Sequence, residues 1–266
     1  SVPSEYRHRK ALKKNHGRRK EKFSGGYSMA KKNPRVARLF RELSLLGNDV
    51  FKSREYKKFL SLKLTRKRAA YYIFERSHFH LNRRQCWALV SAHAPFDIKQ
   101  LIWEHEEDEL QGNAARGVEN HWVLGMKEGA TVGLKRSDFK KPPSDCTMIC
   151  TSAWTQIAEH ASWLEALGSS CMLEIGNSDG IIKGGGLANR FAKNLTRDLK
   201  IPLRKQASNK EHMEVDIEHA NLLFKAAQNH VSSKEDYDLA VSGARKGIAI
   251  YRTWLGLMAM EMENMR

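Results

Sequence analysis

Residues 212–224 of the chain read HMEVDIEHANLLF and contain three regularly spaced ionisable side chains. His212, Asp216 and His219 are separated by four and three positions, so on an α-helix their side chains share one face. Two imidazoles and a carboxylate on one helix face are typical of a metal site. The same pattern also occurs as a solvated polar stripe, and this stretch alone leaves both interpretations open.

Four further ionisable residues lie within apolar helical patterns elsewhere in the chain. Glu75 occurs in YYIFERSHF, Glu109 is the last acidic residue of WEHEEDEL, His121 precedes a tryptophan, and Glu174 occurs in CMLEIG. Taken singly, each such residue is more often structural or solvated than functional. The argument for a site comes from the whole set, because buried carboxylates are costly unless they are paired or bound to a metal.

The combined set has four carboxylates, three imidazoles and no sulfur. Mixed nitrogen and oxygen ligands favour iron or manganese over zinc. Four carboxylates would also neutralise the charge of two Fe(II) ions, so such a site could be buried. The composition therefore indicates a carboxylate-bridged dinuclear centre that activates O2.

The hydrophobic pattern predicts an all-α domain of about seven or eight helices. Apolar residues recur at spacings of three and four, and strand patterns are scarce. Asn33 with Pro34, Ser53 and Thr65 are predicted to begin the first three helices, the third ending before Pro95. Continuous helices are expected over 146–168 and 209–230.

The positive charge is concentrated at the N-terminus. Residues 1–38 carry 13 Lys and Arg and two Glu, which accounts for +11 of the net +16. Residues 1–32 are predicted to be a largely disordered basic arm, and residues 33–266 the helical domain. No recognisable nucleic-acid-binding motif accompanies the arm, so contact with nucleic acid is not expected.

Other features indicate a cytoplasmic protein. No run of 18 apolar residues exists, so no membrane span is predicted. Cys146 and Cys150 have no second Cys or His pair at zinc-finger spacing. All four cysteines are therefore expected to be reduced thiols, which favours the cytoplasm.

The order Glu, Glu, His, Glu and then His-x3-Asp-x2-His resembles the haem-oxygenase-like diiron oxidases and oxygenases. The resemblance covers roughly residues 35–262. HMEVDIEHANLLF is similar to the last metal-binding helix of that family, and IWEHEEDELQG to its second core helix. Glu106 and Glu107 remain alternatives to Glu109, because the gap to His121 is longer than usual. The metal ligands that the resemblance implies are Glu75, Glu109, His121, Glu174, His212, Asp216 and His219.

The resemblance also implies a fold and an activity. The family has an up-down bundle shared with thiaminase-II-like and pyrroloquinoline-quinone-synthase-like proteins. It implies two Fe(II) ions, or manganese, with O2 as co-substrate, in natural-product or specialised metabolism. The expected reaction is N-oxygenation, desaturation or C–C cleavage of an amino acid, an amine or a fatty acid. An external electron donor and a homodimer are further expectations. The aromatic residues expected to line the substrate pocket are Tyr71, Tyr72, Phe79 and Trp122.

Three alternatives compete with this interpretation. A metal-free enzyme of the same fold would lack the full ligand set. A ferritin-like bundle would use Glu75-x-x-His78 and Asp216-x-x-His219, and it would leave His212 unused. A non-enzymatic nucleic-acid binder would depend on the basic arm.

Overall fold

The computed structural model describes residues 33–265, with the backbone alone for residues 217 and 218. The predicted arm of residues 1–32 therefore lies outside the described residues. Within the described range the fold is all-α, as predicted, and it contains no β-strand. Its helices are α1 Pro34–Val50, α2 Arg54–Ser61, α3 Arg66–His93, α4 Phe96–Gln111, α5 His121–Ala130, α6 Asp145–His160, α7 Trp163–Asn177, α8 Leu187–Leu199, α9 Ala207–His219, α10 Leu222–His230 and α11 Lys234–Asn264.

The described residues contain eleven helices, somewhat more than the predicted seven or eight, and two of the predicted helices are divided. Ser162 caps α7 by accepting a hydrogen bond from the amide of Glu165, which ends the continuous helix predicted over 146–168. The helix predicted over 209–230 breaks at residues 220 and 221, immediately after His219. Neither glycine nor proline marks this second break, so the pattern gave no indication of it.

The predicted helix starts are confirmed at the atomic level. The Asn33 side chain accepts hydrogen bonds from the amides of Arg35 and Val36, and Pro34 occupies the first turn of α1. Ser53 and Thr65 cap α2 and α3 in the same way. These side chains satisfy amide groups that a helix leaves free at its N-terminus.

Helices α7 and α11 pack closely through glycines at their contact. A Cβ atom on Gly243 would overlap the carbonyl oxygen of Glu165, and one on Gly247 would overlap that of Ser169. Helix α7 of this pair also belongs to a second group of packed helices, which comprises α3, α4, α5, α7 and α9. Because the ionisable residues predicted from the sequence lie on these five helices, the bundle can bring them together. No helix among the described residues is long and apolar enough to cross a membrane.

Candidate metal centre

Helix α9 contributes His212, Asp216 and His219, and all three side chains are buried. A carboxylate oxygen of Asp216 lies 3.6 Å from Nδ1 of His212 and 3.8 Å from Nδ1 of His219. Asp216 therefore lies between the two imidazoles, as the spacing of four and three predicts. Their burial excludes the alternative of a solvated stripe.

Three more of the predicted residues meet this face of α9. One carboxylate oxygen of Glu109 lies 2.8 Å from Nδ1 of His121, and the other lies 3.7 Å from Nδ1 of His219. Glu174, in the last turn of α7, lies 4.0 Å from Nδ1 of His219. The His121 and His212 rings are in edge contact, with centroids 4.6 Å apart. Six of the seven predicted residues thus form one buried cluster.

His105 also belongs to the cluster, and the sequence interpretation missed it. Its Nε2 atom lies 3.6 Å from Glu174, and its ring centroid lies 4.3 Å from that of His219. His105, Glu174 and His219 each offer a ligand atom within 4.8 Å of the others. His105 precedes Glu109 by four positions, as His212 precedes Asp216. This repeated spacing is the feature of the sequence that could have identified His105.

The three acidic residues considered as ligands on α4 differ clearly in burial and contacts. Glu109 is buried within the cluster. Glu106 is partly buried and contacts Nδ1 of His105 at 3.0 Å, while Glu107 is exposed. Arg84 of α3 contacts Glu106 at 2.9 Å and Glu109 at 2.8 Å. Glu109 is therefore the carboxylate that faces the histidines, and Glu106 orients His105 from behind.

Glu75 is buried, as expected, but it does not join the cluster. Both of its carboxylate oxygens accept the amide of Ser144, the N-cap residue of α6, at 3.0 and 3.2 Å. The helical geometry of α3 explains the difference. At about 100° per residue, Glu75 points roughly 140° away from His80, whose ring centroid lies 5.1 Å from that of His212. Helix α3 thus presents His80 and Arg84 to the cluster instead of a carboxylate.

The four aromatic residues predicted to line a substrate pocket have packing contacts elsewhere. Tyr72 packs against Phe59, Phe191 and Trp254, and Phe79 packs against Trp154, Tyr251 and Trp254. Trp122 contacts Phe139, and the partly buried Tyr71 packs against the hydrophobic core. For Tyr72 and Phe79, the structure shows packing in the aromatic core.

The burial of these groups perturbs their protonation strongly. Burial opposes a charge on His105, but the neighbouring carboxylates of Glu106 and Glu174 outweigh it and raise the pKa of His105 to about 9. Burial likewise opposes the charge on Glu174, but His105 outweighs it and lowers the pKa of Glu174 to about 2. Burial, with the charges of Glu174 and Glu109, raises the pKa of Asp216 well above its usual range. Burial and the charge of His105 lower the pKa of His219 to about 3.

Several polar atoms in the cluster have no hydrogen-bond partner among the described residues. Among them are Nε2 of His105, both ring nitrogens of His212, both carboxylate oxygens of Asp216 and Nδ1 of His219. Buried polar atoms are normally satisfied, so a converging set of unsatisfied nitrogen and oxygen atoms requires an explanation. A cation explains it, because each of these imidazoles can donate an electron pair from one ring nitrogen and the Asp216 carboxylate can donate from its oxygens. Carboxylates and imidazoles together suit iron or manganese.

A comparison with protein families agrees with this donor set. A family model described as an iron-containing redox enzyme matches residues 70–252, which include every residue of the cluster. The chain belongs to the iron-containing redox enzyme family. No curated protein matches the chain.

Solved structures similar to this iron-containing redox enzyme share its fold. One is a domain of unknown function with a haem-oxygenase-like fold from Shewanella denitrificans OS217, with a TM-score of 0.68, 18% identity, and coverage of 86% of this chain and 93% of that chain. Another is a CADD-like protein of unknown function from Nostoc punctiforme PCC 73102, with a TM-score of 0.64, 18% identity, and coverage of 84% and 97%. The predicted haem-oxygenase-like fold is confirmed.

The family and the geometry together argue against the ferritin-like alternative. That arrangement requires Glu75 and His78 to face Asp216 and His219. In the structure Glu75 holds the start of α6, and the His78 ring packs against Phe74. The Glu-x-x-His pair of α3 is therefore not part of the cluster of this iron-containing redox enzyme.

The cluster reaches the surface through a cavity of about 170 Å³ between α4, α9 and α10. Two of its lining residues are His105 and His219, and the others include Glu104, Asp108 and Lys225. A second, larger groove of about 450 Å³ lies between α3 and α4 and ends at Arg84 and Glu106. His105 and His219 therefore line a cavity at the surface although both side chains are largely buried.

Proposed function

We propose that this protein is an O2-dependent non-haem iron oxidoreductase with a dinuclear centre, acting on a small-molecule substrate. The observation that carries the proposal is the set of buried imidazole and carboxylate groups that converge from α4, α5, α7 and α9, several of whose nitrogen and oxygen atoms have no hydrogen-bond partner among the described residues. The family described as iron-containing redox enzymes supports iron as the metal.

The residues divide into two groups of ligands. His105, Glu174 and His219 form the first group. We assign Glu109, His121 and His212 to the second, because His121 contacts both the Glu109 carboxylate and the His212 ring. The carboxylates of Asp216 and Glu109 each lie close to imidazoles of both groups, so both would contribute oxygen donors to the metal-binding set. Compared with the set implied by the sequence, His105 replaces Glu75.

When bound, Fe(II) supplies the electrons and the open coordination positions that O2 activation requires. The protein supplies orientation and shielding. Glu106 holds Nδ1 of His105, which leaves Nε2 free to face Glu174. Arg84 holds one oxygen of Glu109. The burial of the whole cluster limits the access of water to the reacting centre.

An anaerobic Fe(II) titration of the metal-free protein tests the proposal. We expect two irons per chain, followed by a change in the visible spectrum on exposure to O2. Binding of a single iron would refute the dinuclear centre, and binding of none would favour the metal-free alternative.

Variants of two buried glutamates sharpen the test. Glu109→Gln should reduce the iron content, because Glu109 faces the histidines. Glu75→Gln should leave the iron content unchanged, because Glu75 accepts the Ser144 amide at the start of α6 and does not face the histidines. His105→Ala should also lower the iron content, with the exposed His93→Ala as its matched control. Full iron loading of Glu109→Gln and His105→Ala would contradict the assigned ligands.

A further inference from the structure

Arg83 is a buried guanidinium for which the described residues offer no hydrogen-bond acceptor. Its side chain lies in the middle of α3 and is only 2% exposed. None of its three nitrogen atoms has a hydrogen-bond partner among the described residues. Its neighbours on α3 differ, because Arg76 pairs with Glu128 and Arg84 pairs with Glu106 and Glu109. A buried charge without a partner is costly, so Arg83 requires an explanation beyond packing.

Two indole groups beside Arg83 are unsatisfied as well. The guanidinium lies 4.3 Å from the centroid of the Trp154 ring and 5.8 Å from that of Trp87. Both indoles are fully buried, and neither N–H has a partner within the described part of the chain. Trp254 in the same core is satisfied, because its N–H donates to Thr147 at 2.9 Å. The unsatisfied atoms around Arg83 are therefore all donors, which calls for an acceptor that carries negative charge.

This cluster of donors adjoins the candidate metal centre. The Trp87 ring, which neighbours Arg83, also contacts the His105 ring at a centroid distance of 4.7 Å. Glu174 is close enough to Arg83 to influence its pKa, but its carboxylate faces His105 and His219. A ligand held by Arg83 would thus lie one aromatic ring away from the centre.

The charges of the proposed centre point in the same direction. Two Fe(II) ions bring four positive charges, whereas Glu109, Glu174 and Asp216 supply three negative ones. Arg84 is matched by Glu106, but Arg83 is not matched. The loaded centre would therefore carry excess positive charge, which an anion would balance. Guanidinium groups bind planar carboxylates through two parallel hydrogen bonds, and the neutral indoles can add donors without adding charge.

We propose that Arg83, with the indole N–H groups of Trp87 and Trp154, binds the carboxylate of the substrate and thereby places the rest of that substrate toward the metal centre. The substrate class is then a small carboxylic acid with a single carboxylate at this position. This assignment of the substrate rests on the proposed function, whereas the carboxylate site itself does not require iron.

The test uses the full chain, loaded anaerobically with Fe(II), and follows tryptophan fluorescence during titration. The probes are hexanoate and benzoate, each compared with its neutral amide. We expect saturable binding of the carboxylates and no saturable binding of the amides. Arg83→Met should weaken carboxylate binding by about ten-fold to one-hundred-fold, because hydrogen bonds to charged groups are strong. Equal binding of the amides, or unchanged affinity of Arg83→Met, would overturn the proposal.

Repeating the titration on chelator-treated protein separates this site from the iron. A carboxylate bound at Arg83 should still bind without metal, whereas a carboxylate bound directly to iron should not. Carboxylate binding in a chain that takes up no iron would refute the proposed function and leave this site standing. Binding that disappears with the metal, and is normal in Arg83→Met, would refute this site and leave the iron chemistry standing.

Matched variants control for structural damage. Arg190 also lies over an aromatic ring, that of Phe51, but it donates to the carbonyls of Gly185 and Lys183, so Arg190→Met should bind the probes normally. If Arg83→Met fails to fold, Arg83→Lys keeps the charge and should still lose about ten-fold in affinity, because lysine cannot donate as a fork. Trp154→Phe keeps an aromatic ring, removes the N–H and should weaken binding. Normal affinity in both Arg83→Lys and Trp154→Phe would contradict the assigned donors.

Discussion

Helix α9, which carries three of the proposed ligands, is held at its start by a buried ion pair. Removing one charge of that pair should lower the free energy of unfolding. Glu128 of α5 is fully buried and contacts Arg76 of α3 at 2.7 Å. The other carboxylate oxygen of Glu128 accepts the amide of Asn209 in the first turn of α9 at 2.8 Å. Arg76 also donates to the Asn209 side chain at 2.7 Å. Three helices thus meet at one carboxylate.

The perturbation is Glu128→Gln, which preserves size and removes the charge. Loss of one partner of a buried ion pair typically costs about 3–5 kcal/mol, because the other charge stays buried without compensation. For a domain of this size, each kcal/mol lowers Tm by roughly 2–4 °C, so Tm should fall by about 6–20 °C. The amide of Asn209 also loses a charged acceptor at the helix start, so amide exchange in α9 should accelerate.

The assay is chemical and thermal denaturation of Glu128→Gln, Arg76→Met, Glu128→Leu and the double variant, with a matched surface control. Arg76→Met combined with Glu128→Leu should recover most of the stability lost in either single variant, because replacing both partners removes the uncompensated charge. Asp49→Asn breaks the exposed pair of Asp49 with Lys52 and should have little effect. The reasoning is refuted if Glu128→Gln loses no more stability than Asp49→Asn, or if the double variant loses the sum of the two single losses.

Three other features of the structure have testable consequences. Iron affinity should rise with pH up to about pH 9, because His105 has a pKa of about 9 and must release its proton to bind a metal; pH-independent dissociation constants between pH 6.5 and 8.5 would contradict this. Gly243→Ala should destabilise the bundle by about 1–3 kcal/mol or more, since the new methyl group would overlap the carbonyl of Glu165; urea denaturation measures the loss, and unchanged stability would disprove the close contact. Arg116 holds Glu211 of α9 through two hydrogen bonds of 2.8 and 3.1 Å, so Arg116→Ala should increase hydrogen exchange in α9 while leaving α11 protected; equal changes in both helices would count against a local role.

The helical class and the polar face of α9 were predictable because both depend on local spacing. His212, Asp216 and His219 lie on one face whatever the neighbouring helices do. The capping residues Asn33, Ser53 and Thr65 were predictable for the same reason, since a cap acts within one turn. The break after His219 was not predictable, because no glycine or proline marks it and tertiary packing determines it.

The contribution of α3 to the site could not be predicted in the same way. Helix α3 is buried along much of its length, with aromatic residues on more than one side, so its sequence does not single out one inward face. Glu75 was chosen because a buried carboxylate is expensive, and it is indeed buried, but the amide of Ser144 provides its partner. A backbone amide at a helix start and a metal ion can each satisfy a buried carboxylate. The spacing of residues within α3 does not distinguish these two partners.

This difference on α3 also changes the electrostatics of the site. The sequence interpretation expected four carboxylates to balance two Fe(II) ions, whereas the cluster holds three and α3 adds His80, Arg84 and the unpaired Arg83. A buried site cannot easily tolerate an excess of positive charge, because desolvation penalises each uncompensated ion. An anionic substrate would restore the balance only while it is bound. On this argument, the carboxylate that sequence analysis placed on the protein is supplied by the substrate, and carboxylate binding should strengthen when the metals are present.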